Sequence, residues 1–128
     1  MPLITGVDHK RREVTVQAIG PVSVDDVREH VQHVKREGGL VYPRLVESRG
    51  AGIPADPDDF QKLADMLREL SLEGAIGPAA IIVSTDADVE RMRVLEGMLT
   101  NICEVKGFRN EADARAWLRG SAAKGQSS

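Results

Sequence analysis

The chain has 128 residues, one domain's worth of sequence, enough to bury about two thirds of its unfolded surface and to fold without disulfide or metal. Apolar residues make up 41% and charged residues 29%, with 17 Lys+Arg against 20 Asp+Glu, which excludes a disordered chain and argues against a dedicated nucleic-acid binder. The single cysteine, Cys103, excludes an internal disulfide and any multi-cysteine metal cluster, and no segment approaches the ~18 apolar residues of a membrane span.

Leu3 to Asp8 and Glu13 to Gly20 read as two short strands. In the second, Val14, Val16 and Ala18 alternate with Thr15 and Gln17, so one face is apolar and the other polar. His9-Lys10-Arg11-Arg12 between them reads as a solvated turn, which makes the pair an antiparallel hairpin, and Gly20-Pro21 ends it. Ser23 is an N-cap with Asp26 in capping-box spacing. The helix it starts carries Val24, Val27, Val31 and Val34 as a stripe suited to a sheet, and Gly38-Gly39 stops it.

The next strand falls within Leu40 to Ser48, and Pro43 delays its start to about Arg44. Arg49 to Pro57 is a loop of Gly50, Gly52, Pro54 and Pro57, leading into a helix whose inner stripe is Phe60, Leu63, Ala64, Leu67 and Leu70. Ala79-Ala80-Ile81-Ile82-Val83 has no alternation, as expected of a central strand covered on both faces. A third helix spans about Ala87 to Leu99, with Thr85 and Asp88 in capping-box spacing, and Val89, Met92, Leu95 and Leu99 on its inner side. A strand from Ile102 to Phe108 precedes a short helix, Glu111 to Leu118, in which Ala114, Trp117 and Leu118 form a contact face; the domain closes near residue 119, and Gly120 to Ser128 is expected as a disordered polar tail.

The expected fold is α/β: a single domain with a mixed sheet of about five strands, an N-terminal antiparallel hairpin followed by βαβαβα, and four helices. This order, with Phe108-Arg109-Asn110-Glu111-Ala112-Asp113-Ala114-Arg115-Ala116-Trp117-Leu118 and Leu45-Val46-Glu47-Ser48-Arg49-Gly50, resembles the SpoIIAA-like proteins. These are small bacterial domains related to the STAS anti-sigma-factor antagonists, and the STAS/SEC14 label is also applied to them. The resemblance extends from Gly6 to Leu118. It implies a non-enzymatic regulatory module that binds a protein partner or a small ligand. In the antagonists a serine at the start of the helix after the third strand is phosphorylated. Here that stretch reads Asp56-Pro57-Asp58-Asp59-Phe60, with no hydroxyl, and its acidity suits a helix N-terminus.

Ligands in open α/β sheets bind beyond the carboxyl ends of the strands. On this reading those ends gather Glu47, Ser48 and Arg49, then Ser84, Thr85 and Asp86, then Arg109, a set able to hold an anionic group or simply to form an Arg-carboxylate network with ordinary capping. On the first helix Asp26, His30, His33 and Glu37 share an arc of about 60° away from the valine stripe. That arc is a weak zinc candidate, because one straight helix cannot surround a tetrahedral ion, and a solvated polar face explains it better.

Nucleophilic catalysis finds little support, since no histidine is placed to serve Ser48 or Cys103; a small hydrolase at the strand ends, using Ser48 or Thr85, is the alternative to a binding module. The His9 to Arg12 cluster lacks aromatic neighbours for nucleic-acid stacking. Val94 and Met98 lie off the third helix's inner stripe and could mark a partner face, a C2 homodimer being the commonest form. Met1 leads into Pro2, Leu3 and Ile4 without the basic and apolar regions of a secretory leader, so the expectation is a cytoplasmic protein with no cofactor and no membrane span.

Overall fold

The computed structural model describes residues 3–19, 22–49 and 57–126. The opening hairpin pairs β1 (Leu3–Asp8) antiparallel with β2 (Glu13–Ile19), in register from Leu3 opposite Ala18 to Asp8 opposite Glu13. Its turn is organised by Asp8, whose Oδ1 accepts from the backbone N–H of Lys10 and of Arg11, both at 3.0 Å, while Arg12 takes the left-handed conformation at φ 54°. Gly20 and Pro21, the expected end of this hairpin, lie outside the described residues.

Helix α1 (Val24–Arg36) starts with the full capping box expected of Ser23 and Asp26: Asp26 N–H donates to Ser23 Oγ at 3.1 Å, and Ser23 N–H donates to Asp26 Oδ2 at 2.9 Å. It ends in a Schellman closure, with Gly38 at φ 77°, Gly38 N–H donating to Lys35 O and Gly39 N–H to Val34 O. The chain then forms β3 (Arg44–Arg49), α2 (Pro57–Ser71), β4 (Ala79–Ile82), α3 (Asp86–Met98), β5 (Val105–Phe108) and α4 (Glu111–Gln126). The glycine-rich loop Gly50 to Asp56 lies outside the described residues.

The sheet order is β1-β2-β3-β4-β5, antiparallel only at the first pair. Each parallel crossover therefore moves one strand in the same direction, and right-handed connections put α1, α2 and α3 on one face. The fourth helix follows the last strand and packs on the opposite face against β3, β4 and β5. The main core lies under the three helices, around Val31, Phe60, Leu63, Leu67, Met92, Leu95 and Leu99. A smaller one, Leu45, Ala80, Ala114 and Leu118 with Ile82, Phe108 and Trp117, lies under α4. Ile81 packs into the first core and Ile82 into the second, as a strand covered on both faces requires.

Two elements differ in length from expectation. The last strand begins at Val105, not Ile102, because Ile102 and Cys103 turn their N–H groups back to Leu99 O and close the end of α3. Cys103 thus precedes the strand. The last helix continues to Gln126, past the expected Leu118, where Ala122, Ala123 and Lys124 are all good helix formers. Close backbone approach also explains Gly77, whose missing Cβ would fall against the carbonyl oxygens of Tyr42 and Val41.

Candidate functional site

The strand ends of β3, β4 and β5 lie side by side, and some of the expected residues meet there. Arg109 forms an ion pair with Asp86, its Nη2 donates to Ser84 O at 3.1 Å, and Ser84 Oγ donates to Ser48 O at 3.4 Å. Thr85 caps α3, its Oγ1 accepting from Asp88 N–H at 3.1 Å. Ser48 is buried, whereas Ser84, Thr85, Asp86 and Arg109 are exposed, and the Arg49 side chain lies outside the described residues. Glu47 projects to the opposite face of the sheet from Ser48 by simple alternation. From β2 to β5 the strand order never reverses, so the crevice that a reversal opens at the carboxyl ends of α/β sheets is not built here.

The first helix corrects the polar-arc reading. His30 is 8% exposed, not solvated, and its Nδ1 is 2.8 Å from Thr5 Oγ1 on β1. The sheet extends one strand beyond β2, so the flank of α1 that would otherwise meet water meets β1. Asp26 is engaged in the capping box, and among the described residues no three His, Cys, Asp or Glu side chains are grouped to hold a metal ion. On α3, Met98 packs against the main core and only Val94 stays exposed. His9 Nδ1 lies 2.9 Å from Tyr42 Oη, far along the sheet from Ser48.

Between the sheet and its three helices lies a cavity of about 150 Å³. The sheet supplies Val16, Ala18, Val46, Ala79, Ile81 and Val105, and the helices supply Val27, Val31, Leu63, Leu67, Leu95 and Leu99. Apolar cavities of roughly this volume hold a benzene-sized molecule.

Three polar side chains line the otherwise apolar wall: Arg44, Ser48 and Cys103. Alternation along β3 puts Arg44, Val46 and Ser48 on the three-helix face, while Leu45 points into the core under α4. Arg44 is 6% exposed. Its Nε and Nη2 are closed to water and have no hydrogen-bond partner, and it forms no ion pair among the described residues. Burial pulls its pKa down to about 10, partly opposed by Cys103, and it remains a cation at neutral pH. Burial pushes the Cys103 thiol up, against the pull of Arg44, so the sulfur stays protonated and unreactive. The His30 pKa is lowered to about 3, by burial first and then by Arg44 and His33; among the described residues Arg44 is the one cationic side chain on the cavity wall.

Sequence reasoning did not single out Arg44. The signal was there: a charged residue in a strand bordered on both sides by other strands, on the face that alternation assigns to the core, is an anomaly in a sheet covered by helices. The adjacent Pro43 marks Arg44 only as the place where the strand starts.

The SpoIIAA-like family model matches residues 14–119, from the second strand into the last helix. The chain belongs to the SpoIIAA-like family. No curated protein and no solved structure matches it. The family places this SpoIIAA-like domain among STAS-type regulatory modules, which are in general not enzymes. No described helix is long and apolar enough to cross a membrane.

Proposed function

We propose that this SpoIIAA-like domain is a non-catalytic regulatory module that takes a small, largely apolar molecule into the cavity between its sheet and α1, α2 and α3, and presents the result to a protein partner. The observation that carries this reading is the cavity itself, about 150 Å³ of unfilled space in the main core. Cores are otherwise packed to crystal density, and a void costs stability unless something occupies it.

Ser48 supports a route from occupancy to surface. Its side chain lines the cavity, and its carbonyl accepts from Ser84 Oγ, next to the carbonyl that Arg109 holds. Of the strand-end group, the exposed Ser84, Thr85, Asp86 and Arg109 are on this reading the surface a partner contacts, not the ligand site.

Native mass spectrometry of the protein, purified without chelator or detergent, tests the reading together with Ala18→Leu, which fills part of the cavity. A small-molecule adduct on the unmodified chain that is lost from a folded Ala18→Leu variant is the expected result. A chain that carries no adduct and shows no NMR shift of Val16 or Val31 methyls under xenon overturns it.

A further inference from the structure

We propose that the groove between the hairpin turn and α4 binds a single phosphate monoester dianion. The groove holds about 240 Å³ and lies at the amino ends of β2 and β3, the opposite end of the sheet from Ser84, Thr85, Asp86 and Arg109. Four of its lining residues are arginines: Arg11 and Arg12 from the turn, Arg115 and Arg119 from the helix. The topology brings them together. Helix α4 starts beside the carboxyl end of β5 and runs back along the sheet, so its later turns arrive where β2 begins, with Arg115 and Arg119 four residues apart on one side.

Arg115 is engaged with Glu13 at 3.1 Å and Glu111 at 3.4 Å. Arg11, Arg12 and Arg119 are exposed and form no ion pair among the described residues, in a chain whose net charge is −3. Arg12 also sits at φ 54°, a conformation glycine takes freely and arginine does not. Asp8 already organises the turn through two backbone N–H groups, so an arginine at that position adds strain the fold does not need, as residues at binding sites do.

The charge and its extent set the class. A phosphoryl group carries close to two charges and three acceptor oxygens, enough for several guanidinium groups at once, whereas one carboxylate satisfies one fork. Asp8 and Glu13 border the arginines on the sheet side, and Glu111 lies one turn earlier on α4, so the positive surface is too short for a long polyanion. No aromatic ring among the described residues lines the groove for base stacking, while Pro43 and Leu118 offer apolar contact to the carbon body that bears the phosphate.

The test titrates the whole chain with phenyl phosphate and with benzoate as its monoanionic counterpart, by calorimetry and by the arginine Nε–Hε resonances in NMR. Phenyl phosphate is expected to shift the resonances of Arg11, Arg12 and Arg119 and to bind about 10-fold tighter than benzoate. Its affinity should weaken with added salt, and below about pH 6 as the second phosphate proton returns. Arg12→Gly relieves the turn and keeps the fold, yet lowers phenyl phosphate affinity about 10-fold, as does Arg119→Gln. A phosphotyrosine peptide that binds tighter than phenyl phosphate places the ester on a protein partner, and one that binds no tighter places it on a small molecule. No binding of phenyl phosphate, benzoate binding equally well, or affinity unchanged in both variants overturns the proposal. So does an oligonucleotide whose affinity grows with each added nucleotide.

Discussion

Thr5 Oγ1 and His30 Nδ1 lie 2.8 Å apart, so that a hydroxyl on the edge strand holds an imidazole in the middle of α1. Burial, with Arg44 and His33 adding to it, lowers the His30 pKa from 6.5 to about 3. Above pH 6.5 the folded and unfolded chains both leave this group neutral, and it contributes no pH dependence. As the pH falls below 6.5, the unfolded chain takes up a proton that the native one refuses, and stability falls by up to about 1.4 kcal/mol per pH unit until about pH 3. Urea melts at pH 7 and pH 5 are expected to show His30→Asn losing about 2 kcal/mol less than the unmodified chain over that interval. Equal losses in the two proteins contradict this account.

Arg44 makes the opposite demand on the empty protein. A buried cation without a partner is costly, and replacing it with an apolar side chain of similar length removes the cost. The ligand-free Arg44→Met variant is expected to be more stable than the unmodified chain by about 1 to 4 kcal/mol in urea unfolding. A less stable variant would mean that the guanidinium is satisfied in solution.

Gly77 is fixed by its neighbours rather than by its dihedral angles. Any Cβ there runs into the carbonyl oxygens of Tyr42 and Val41, and its own N–H donates to Leu40 O at 2.9 Å, so neither segment is free to retreat. Gly77→Ala should cost about 3 kcal/mol or more, measured by thermal and urea unfolding. Gly74→Ala, with open space around the added carbon, is the control that should change little.

The Arg109–Asp86 pair is half exposed on one side and almost fully exposed on the other. Arg109→Ala is therefore expected to leave both the urea midpoint and the small-molecule adduct unchanged, and to weaken capture of a protein partner if the strand ends are the contact surface. A lost adduct in this variant would move the ligand site from the cavity to the strand ends.

The architecture could be read from the chain because its signals are local. Ser23 and Asp26 set a helix start, Val14, Val16 and Ala18 set a face, and the unbroken run from Ala79 sets a strand buried on both sides. Arg44 and His30 escaped because what makes each unusual is its surroundings. Arg44 becomes notable only once β2 and β4 flank it, and His30 only once β1 is seen to lie beneath α1. A cavity is a property of how three helices fail to fill a space, and no spacing along the chain encodes that. Of the strand-end residues, Ser48, Ser84, Asp86 and Arg109 come together because β3, β4 and β5 are neighbours, while Glu47 alternates to the other face, and without a reversal of strand order no crevice opens between them.

The unbroken strand order has a consequence for synthesis. Each strand after the first pairs with the one made just before it, so a chain emerging from the ribosome can extend its sheet one edge at a time, with little loop entropy to overcome at each addition. The last helix departs from this succession, packing back on β3 and β4, and its Arg115 Nη1 reaches Glu13 Oε1 on the second strand at 3.1 Å, across 102 positions of sequence. The second strand and the last helix are thereby joined only after everything between them has been laid down.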